Sequence, residues 1–170
     1  TNTNRSLLCV GLDPDPELMP GVGILEFNRA IIDATSDLVC AYKPNLAFYE
    51  AFGVEGLKVL EKTIAHIPDN IPIIGDAKRG DIGSTARAYA RALFSTFGFD
   101  AATVNPYLGH DSLEPFIEYK DKGVFILCRT SNPGSAHFQD LLLSQESETT
   151  GKSEKPLFEV VAQRAREWNT

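Results

Sequence analysis

Short apolar runs alternate along the chain with segments whose apolar residues recur at helical spacing. The runs are nearly continuous in hydrophobicity and span residues 7–12, 38–42, 71–75, 101–104 and 124–127. Strands that are buried on both faces of a parallel sheet have this composition, whereas half-exposed strands alternate apolar and polar residues. The runs therefore predict five buried parallel strands.

An amphipathic helix is predicted after each run. Three apolar stripes lie at Ile24, Phe27, Ile31, Ala34 and Leu38, then at Val54, Leu57, Leu60 and Ile64, then at Ala86, Tyr89, Ala90, Leu93 and Phe97. Ser84 or Thr85 is the predicted N-cap of the third helix. A short helix is expected after Ser112. A last helix is expected near the end of the sequence, with Leu157, Val160, Val161, Arg164 and Trp168 on one side.

Five successive strand-then-helix units are typical of an α/β fold with a parallel sheet, either a doubly wound sheet or a β/α barrel. The segment 144–155, SQESETTGKSEK, has no apolar period and is predicted to be a mobile surface loop. No Pro-, Gly- or Ser-rich linker divides the chain. Residues 1–170 are therefore predicted to belong to one domain.

Charge and hydropathy exclude two classes of partner. The 170 residues contain 16 Lys and Arg against 23 Asp and Glu, a net charge of −7. This balance argues against nonspecific binding to nucleic acid or to an anionic membrane. It leaves room for a small anionic ligand, because a few lysines in a cleft outweigh the global charge locally. No stretch approaches the ~18 apolar residues of a membrane helix.

The three cysteines, Cys9, Cys40 and Cys128, are widely spaced and odd in number, and each lies in an apolar run. A disulfide framework or a zinc site would need clustered pairs. The sequence therefore predicts three buried, reduced thiols in a cytoplasmic protein.

Polar and ionisable side chains collect where the predicted strands end. They are Asp13, Lys43, the block 76–81, Asn105 with His110 and Asp111, and residues 129–132. The carboxyl ends of parallel strands are the edge at which α/β proteins bind ligands. This distribution predicts a functional site at that edge.

Asp76 and Lys78 form the most specific pair in the sequence. Residues two apart on a strand point to the same side, and Lys43 ends the neighbouring strand. Asp81 follows in a turn flanked by glycines, which can bend it back towards the others. We expect a compact set of two lysines and two aspartates, which either perturbs pKa values for catalysis or orients loops as a salt-bridge network.

Other chemistries have weaker support. The block 75–85 lacks the Gly-Lys-Ser/Thr ending of a Walker motif. The three histidines are too scattered in sequence to predict a metal site. Ser131 is either a hydrogen-bond donor to a ligand or a turn former before Asn-Pro-Gly. Arg79 is predicted to be a supporting charge rather than a catalytic group.

The block DAKRGDIGSTA at 76–86 resembles the Asp-x-Lys-x-x-Asp-Ile signature of the orotidine 5′-phosphate decarboxylases. CVGLDPDPE and KPNLAFYEAFG upstream are similar to the longer bacterial branch of that family, and TSNPGS at 130–135 is similar to its Ser-x-Pro-Gly loop over the pyrimidine. Magnesium-dependent sugar-phosphate decarboxylases and aldolases share Asp-x-Lys-x-x-Asp. The Ile-Gly-Ser-Thr continuation favours the orotidylate enzymes.

The resemblance implies a (β/α)8 TIM barrel that decarboxylates orotidine 5′-monophosphate to uridine 5′-monophosphate in pyrimidine biosynthesis, without cofactor or metal. Asp76 would disfavour the substrate carboxylate relative to the transition state. Lys78 would stabilise the carbanion at C6 and protonate it. Lys43 and Asp81 would hold Lys78 in place.

The same resemblance implies the binding residues. Asp13 and Lys43 would bind ribose hydroxyls, and Ser131 would bind the pyrimidine. Asp81, Ile82 and Thr85 would reach into the site of a neighbouring subunit, so the active unit would be a cytoplasmic homodimer.

The resemblance also implies a size difference. Members of the family close eight strands and bind the substrate phosphate with a late Arg and Gln, whereas this sequence shows five βα units. We therefore expect part of a barrel that is weakly active or inactive alone. The alternatives are a magnesium-dependent sugar-phosphate enzyme on the same barrel and a non-catalytic half-barrel that assembles with another chain.

Overall fold

Five parallel strands form the centre of the fold and lie side by side in the order in which they occur along the chain. They are β1 (Cys9–Leu12), β2 (Ala41–Pro44), β3 (Ile74–Arg79), β4 (Ala101–Val104) and β5 (Gly123–Ile126). The computed structural model describes residues 4–19, 21–147 and 151–168. β1 pairs with β2, and β3, β4 and β5 pair in turn. Parallel bridges from Tyr42 to Ile73 and from Asn45 to Asp76 join the two groups.

Helices connect these strands and cover the sheet. They are α1 (Ile24–Thr35), α2 (Leu46–Glu50), α3 (Gly53–Ile64), α4 (Gly83–Arg91), α5 (His110–Ile117), α6 (Ala136–Gln139) and α7 (Leu157–Glu167). A π-helical turn at Ala92–Thr96 extends α4. The alternation of strand and helix confirms the predicted α/β class. α2 and α6 were not predicted, because five and four residues are too few to show a helical period.

Two helix starts differ from prediction. α4 begins at Gly83 with Ile82 as its N-cap residue, so Ser84 and Thr85 lie inside the first turn and neither side chain caps the helix. Gly83 has a φ of +55°, which a β-carbon disfavours and which lets the chain turn sharply into the helix. α5 begins at His110, two residues before Ser112.

The strands are displaced from the apolar runs, and two of them are less buried than predicted. β2 begins at Ala41 and β3 continues through Asp76 to Arg79, because polar residues at the strand ends still bond to their neighbours. β4 is buried throughout, as expected. β1 and β5 alternate exposed and covered positions, and the side chain of Phe125 is 53% exposed. Each of these two strands has a paired strand on one side only among the described residues, so the prediction of burial on both faces was wrong for them.

The exposure of the three cysteines also differs from the prediction. Cys9 lies at an outward position of β1 and is exposed, while Cys40 and Cys128 are half-buried. The three thiols are free. The prediction of full burial was therefore wrong, because an edge strand presents alternate side chains to solvent.

The segment 144–155 was predicted to be a loop but forms most of a β-hairpin. β6 (Leu142–Ser147) and β7 (Gly151–Pro156) pair antiparallel from Leu142 opposite Pro156 to Ser147 opposite Gly151. Residues 148–150 lie outside the described part of the chain. An antiparallel ladder is held by backbone hydrogen bonds, so it can form in a segment without an apolar period.

The hydrophobic core lies between the sheet and helices α1 to α5. Its largest fully buried side chains include Tyr42, Tyr49, Phe99 and Phe116. The Tyr49 hydroxyl donates to the carbonyl of Leu12 at 3.0 Å and accepts from the amide nitrogen of Asn28, also at 3.0 Å. These bonds tie the end of β1 to α1 and α2. Within the described residues, no helix has the length and apolar content needed to cross a membrane.

Candidate active site

The carboxylate of Asp76 is the centre of a hydrogen-bonded cluster at the carboxyl ends of β2, β3 and β4. Its Oδ1 accepts from Lys78 Nζ at 2.7 Å and from Thr103 Oγ1 at 2.8 Å. Its Oδ2 accepts from Lys43 Nζ at 3.1 Å. The structure therefore brings together Asp76, Lys78 and Lys43, which the sequence had placed at neighbouring strand ends, and adds Thr103 to them.

The electrostatics of the cluster keep Asp76 ionised. Burial by itself raises the pKa of this carboxyl, but the hydrogen bonds from Lys78, Thr103 and Lys43 outweigh it, and the pKa lies below the usual value. Only 7% of Asp76 is exposed, whereas the side chains of Lys43 and Lys78 are 34% and 49% exposed. A buried anion thus lies behind two cations that solvent, or a ligand, can reach.

A β-bulge in β3 gives Asp76 and Lys78 this geometry. Gly75 pairs with Ala102 and Arg79 pairs with Val104, so three residues of β3 lie opposite Thr103 alone. Lys78 has a φ of +47°, in the left-handed region that residues other than glycine rarely adopt. The regular alternation of side chains along a strand therefore does not hold for residues 76–78. The two side chains meet because the bulge changes their direction.

Close packing fixes the start of this bulge. A β-carbon at Gly75 would lie 2.6 Å from Cδ2 of Phe99, a fully buried ring. Glycine at this position lets β3 approach the ring directly before Asp76. The core therefore sets the position from which the carboxylate projects.

Asp13 lies at the end of β1, beside the strand that carries Lys43. Its Oδ1 accepts from the backbone N–H of Asn45 at 3.2 Å. Asn45 in turn caps α2, since its side chain accepts from the backbone N–H of Ala47. Asp13 is exposed at this edge of the sheet.

The expected set of two lysines and two aspartates does not form within one chain. Asp81 Oδ1 accepts from the backbone N–H of Ile82 at 2.8 Å, and no ion pair links Asp81 to Lys78 in the described residues. Asp81 therefore takes no part in the hydrogen bonds and ion pairs of the Asp76 cluster in this structure. Ile82 is 58% exposed, Thr85 is exposed and Asp81 is half-buried, and the three residues lie together at the start of α4.

The loop after β5 places Ser131 at the surface. Arg129 anchors this loop through Asp140, with Nε 3.0 Å from Oδ1 and Nη2 3.1 Å from Oδ2. The backbone N–H of Thr130 donates to Gln139 at 2.8 Å. Ser131 is exposed and makes no hydrogen bond to the residues of the Asp76 cluster in this structure.

Other charged candidates have structural partners. Arg79 pairs with Glu50 and lies 5.1 Å above the ring of Tyr89, in keeping with its interpretation as a supporting charge. His66 bonds to Asp33 at 2.7 Å. Thr103 was the functional candidate that sequence reasoning missed. The available signal was a hydroxyl in the otherwise apolar strand AATV, beside a charged strand end.

Several known proteins are similar to this chain in sequence and in fold. The sequence model of the Orotidine 5′-phosphate decarboxylase / HUMPS family matches residues 6–168. The orotidine 5′-phosphate decarboxylase of Dehalococcoides mccartyi is 59% identical over 169 residues, which cover 99% of this chain and 61% of that protein. That of Herpetosiphon aurantiacus is 57% identical over 175 residues, which cover 99% and 62%. The chain thus spans about three fifths of the length of these curated relatives.

Solved structures agree. Leishmania donovani OMP decarboxylase matches with a TM-score of 0.85 and 45% identity, covering 98% of this chain and 62% of that one. Leishmania donovani UMP synthase matches with a TM-score of 0.86 and 44% identity, covering 99% and 36%. These likenesses confirm the β/α barrel class and the predicted resemblance. The chain belongs to the Orotidine 5′-phosphate decarboxylase / HUMPS family.

Proposed function

We propose that this chain carries the catalytic centre of an orotidine 5′-phosphate decarboxylase, a carbon–carbon lyase that forms uridine 5′-monophosphate in pyrimidine biosynthesis. The single observation that carries the proposal is the buried Asp76 carboxylate held between Lys43 and Lys78. Membership of the family and the names of its similar relatives support the same reaction.

Asp76 would act on the carboxylate that leaves. Because its pKa is lowered, Asp76 is an anion at neutral pH, and a substrate carboxylate placed beside it is repelled. That repulsion falls as the substrate loses carbon dioxide and negative charge moves to C6. An interaction that is less unfavourable in the transition state than in the ground state accelerates the reaction.

Lys78 would take up the charge and supply the proton. When the bond between C6 and the carboxyl carbon breaks, its electron pair stays on C6 and carbon dioxide departs. The Lys78 ammonium stabilises this carbanion and then transfers one proton from Nζ to C6, and solvent reprotonates the neutral amine. Its half-exposed Nζ, 2.7 Å from Asp76, is held where both tasks are possible.

The ends of the neighbouring strands would bind the rest of the nucleotide. Lys43 pairs with Gly11 of β1, and Asp13 follows two residues later, where it accepts from the backbone N–H of Asn45. The two side chains would offer a donor and an acceptor to ribose hydroxyls. Ser131 is exposed on an anchored loop and offers a hydroxyl to the pyrimidine. Each of these groups is accessible at the edge at which Asp76 lies.

We further propose a homodimer in which Asp81, Ile82 and Thr85 complete the site of the partner. Asp81 is not paired with Lys78 of its own chain, and Ile82 presents an exposed apolar side chain next to it. Contacts across a two-fold interface are reciprocal, so this group of each chain would lie against the Asp76–Lys78 cluster of the other. Asp81 would then support Lys78 across the interface.

The proposal includes a cytoplasmic, single-domain β/α barrel that needs neither metal nor cofactor. The continuous strand order from β1 to β5 supports one domain. The three free thiols support a reducing compartment. Loss of carbon dioxide leaves a carbanion that a positioned lysine can stabilise, and the cluster supplies that lysine.

Substitution of Lys78 tests the proposal. In the full natural polypeptide, Lys78→Ala is expected to lower kcat by about 1,000-fold or more, because charge stabilisation and proton transfer are lost together. Decarboxylation is followed by the loss of absorbance of orotidine 5′-monophosphate. Lys58→Ala, which removes an exposed lysine of α3 paired with Glu55, is the matched control and should keep wild-type turnover.

A chelator provides the second arm of this test. Turnover should survive EDTA, since no step of the proposed reaction uses a metal. Activity that is lost in EDTA and restored by magnesium would assign the chain to metal-dependent chemistry on the same barrel. Wild-type turnover in Lys78→Ala would remove the proposed proton donor.

A further inference from the structure

Thr103 occupies the point where the bulge of β3 meets the centre of the site. It lies in β4, between two apolar neighbours, and is 9% exposed. Its Oγ1 donates to Asp76 Oδ1 at 2.8 Å and accepts from the backbone N–H of Lys78 at 3.0 Å. One hydroxyl thus contacts the side chain of one proposed catalytic residue and the backbone of the other.

The direction of both bonds is fixed by chemistry. A backbone N–H can only donate, and an ionised carboxylate can only accept. The Thr103 hydroxyl therefore donates its single proton to Asp76, while a lone pair of the same oxygen accepts from the backbone N–H of Lys78. Valine, which has a similar shape, would make neither bond.

The hydroxyl replaces a bond of the regular sheet. Across the bulge, three residues of β3 lie opposite Thr103 alone, so the backbone N–H of Lys78 has no regular ladder partner there. The Thr103 side chain accepts from that N–H instead. It thereby stabilises Lys78 at its φ of +47°, a conformation that a free lysine rarely adopts.

We propose that Thr103 is a positioning residue for decarboxylation: it orients the Asp76 carboxylate and holds the left-handed backbone from which Lys78 projects. The inference rests on the proposed function, because Asp76 and Lys78 are the groups it positions. Thr103 itself contacts neither the leaving carboxylate nor C6 in this scheme.

The surroundings of Asp76 make the role measurable. The charged groups that face its carboxylate are Lys43 from β2 and Lys78 from β3, and Thr103 is the neutral donor from β4. Removing the hydroxyl takes away one of three donors without changing the net charge. The pKa of Asp76 should then rise, because a hydrogen bond to the ionised form is lost.

The test uses three substitutions at this position in the full natural polypeptide. Thr103→Val is expected to lower kcat by about 10-fold or more and to change KM by less than about threefold, since misplacement of reacting groups acts on turnover. The acid limb of the pH profile of kcat/KM should move to higher pH. Thr103→Ser, which keeps the hydroxyl, should retain most of the wild-type kcat and most of the wild-type pH profile. Thr103→Cys introduces a weaker donor of similar size, so its kcat should lie between those of the valine and serine variants.

Thr63→Val is the matched control. Thr63 is fully buried in α3 and accepts from Asn28 Nδ2 at 3.0 Å, and it has no hydrogen bond to Asp76, Lys78 or Lys43. The substitution should lower stability while leaving the pH profile in place. If Thr63→Val shifts the profile as Thr103→Val does, or if Thr103→Val keeps wild-type kcat and pH profile, the positioning role is wrong. A serine variant as impaired as the valine variant contradicts it equally.

A second readout separates this inference from the proposed function. The titration of the Asp76 carboxyl carbon, followed by NMR, requires no turnover. If the wild type does not decarboxylate orotidine 5′-monophosphate, the proposed function fails, yet an upward shift of the Asp76 titration in Thr103→Val still supports the Thr103–Asp76 coupling. An unshifted titration in a folded Thr103→Val protein overturns the coupling whatever the activity.

Discussion

At the scale of single residues, the site depends on one carboxylate and one unusual backbone conformation. Asp76 is kept ionised in a buried position because three donors converge on it. Lys78 is one of two residues other than glycine that have a positive φ in the described chain, and its conformation stores strain that the surrounding bonds offset. Backbone strain of this kind is typical of functional sites.

This strain predicts an order of stability for two variants. Both Lys78→Ala and Lys78→Gly remove the ammonium group and should be inactive. Lys78→Gly should be the more stable by up to about 1 kcal/mol, because glycine adopts a positive φ without a steric penalty. Urea unfolding curves of the two variants measure the difference. Equal or reversed midpoints would mean that the backbone at position 78 is not strained.

At the scale of secondary-structure elements, the bulge of β3 determines which side chains meet. The strand passes Phe99 at Gly75, bulges opposite Thr103 and returns to register at Arg79. Arg79 is then held by Glu50 of α2 and by the ring of Tyr89. Packing on both sides of the bulge therefore fixes the position of a polar strand end that carries two residues of the proposed site.

The contact with Phe99 predicts the effect of a methyl group. Gly75→Ala should destabilise the fold by about 1–3 kcal/mol, because its β-carbon would lie 2.6 Å from the ring and the core must shift. Gly134→Ala, whose β-carbon would meet its nearest atom at 3.7 Å, is the control and should be nearly neutral. Denaturant midpoints compare the two.

A compensating change sharpens this prediction. Phe99→Leu creates space beside position 75, so the double variant should lose less stability than the sum of the two single changes. Additive losses would show that the two positions are not coupled through this contact.

At the scale of the whole molecule, the proposed site needs two chains. Lys43, Lys78 and Asp76 bond to one another within one chain, while Asp81, Ile82 and Thr85 lie outside this cluster at the start of α4. The chain also spans only about three fifths of the length of its curated relatives. The contacts within one chain explain the charged centre. The proposed dimer would give Asp81, Ile82 and Thr85 a role in the site of the partner.

Mixing two inactive variants tests the shared site. Lys78→Ala and Asp81→Ala homodimers should each be nearly inactive. After subunit exchange, about half of the dimers are mixed, and each mixed dimer has one site with both residues intact. Activity should therefore recover to about a quarter of the wild-type value in the steady-state assay. No recovery, with exchange verified by native mass spectrometry, would mean that Asp81 acts within its own chain or not at all.

The sequence alone was sufficient to predict the class of fold and the residues of the charged centre. The apolar runs and helical stripes identified five βα units, because burial on a parallel sheet requires continuous apolar segments. Asp76, Lys78 and Lys43 could be placed together because parallel strands end at a common edge. The block at 76–86 identified the family.

Other features could not be read from local pattern. The hairpin of β6 and β7 depends on backbone pairing between segments without an apolar period. The exposure of Cys9 and Phe125 depends on which strands lie at an edge. The bond from the Ile82 backbone N–H to Asp81, in place of an ion pair with Lys78, depends on the local backbone of the turn before α4. Each is set by contacts between segments that are distant in sequence or by a single dihedral angle.

The sequence by itself thus determined which chemical groups this protein places at one edge of its sheet. Only the tertiary structure decided how they are arranged: the bulge of β3, the left-handed Lys78 and the hydrogen bonds of Thr103. The physical reason is that composition and periodicity report burial, which is a property of each segment. The direction of a hydrogen bond is a property of two segments brought together by the fold.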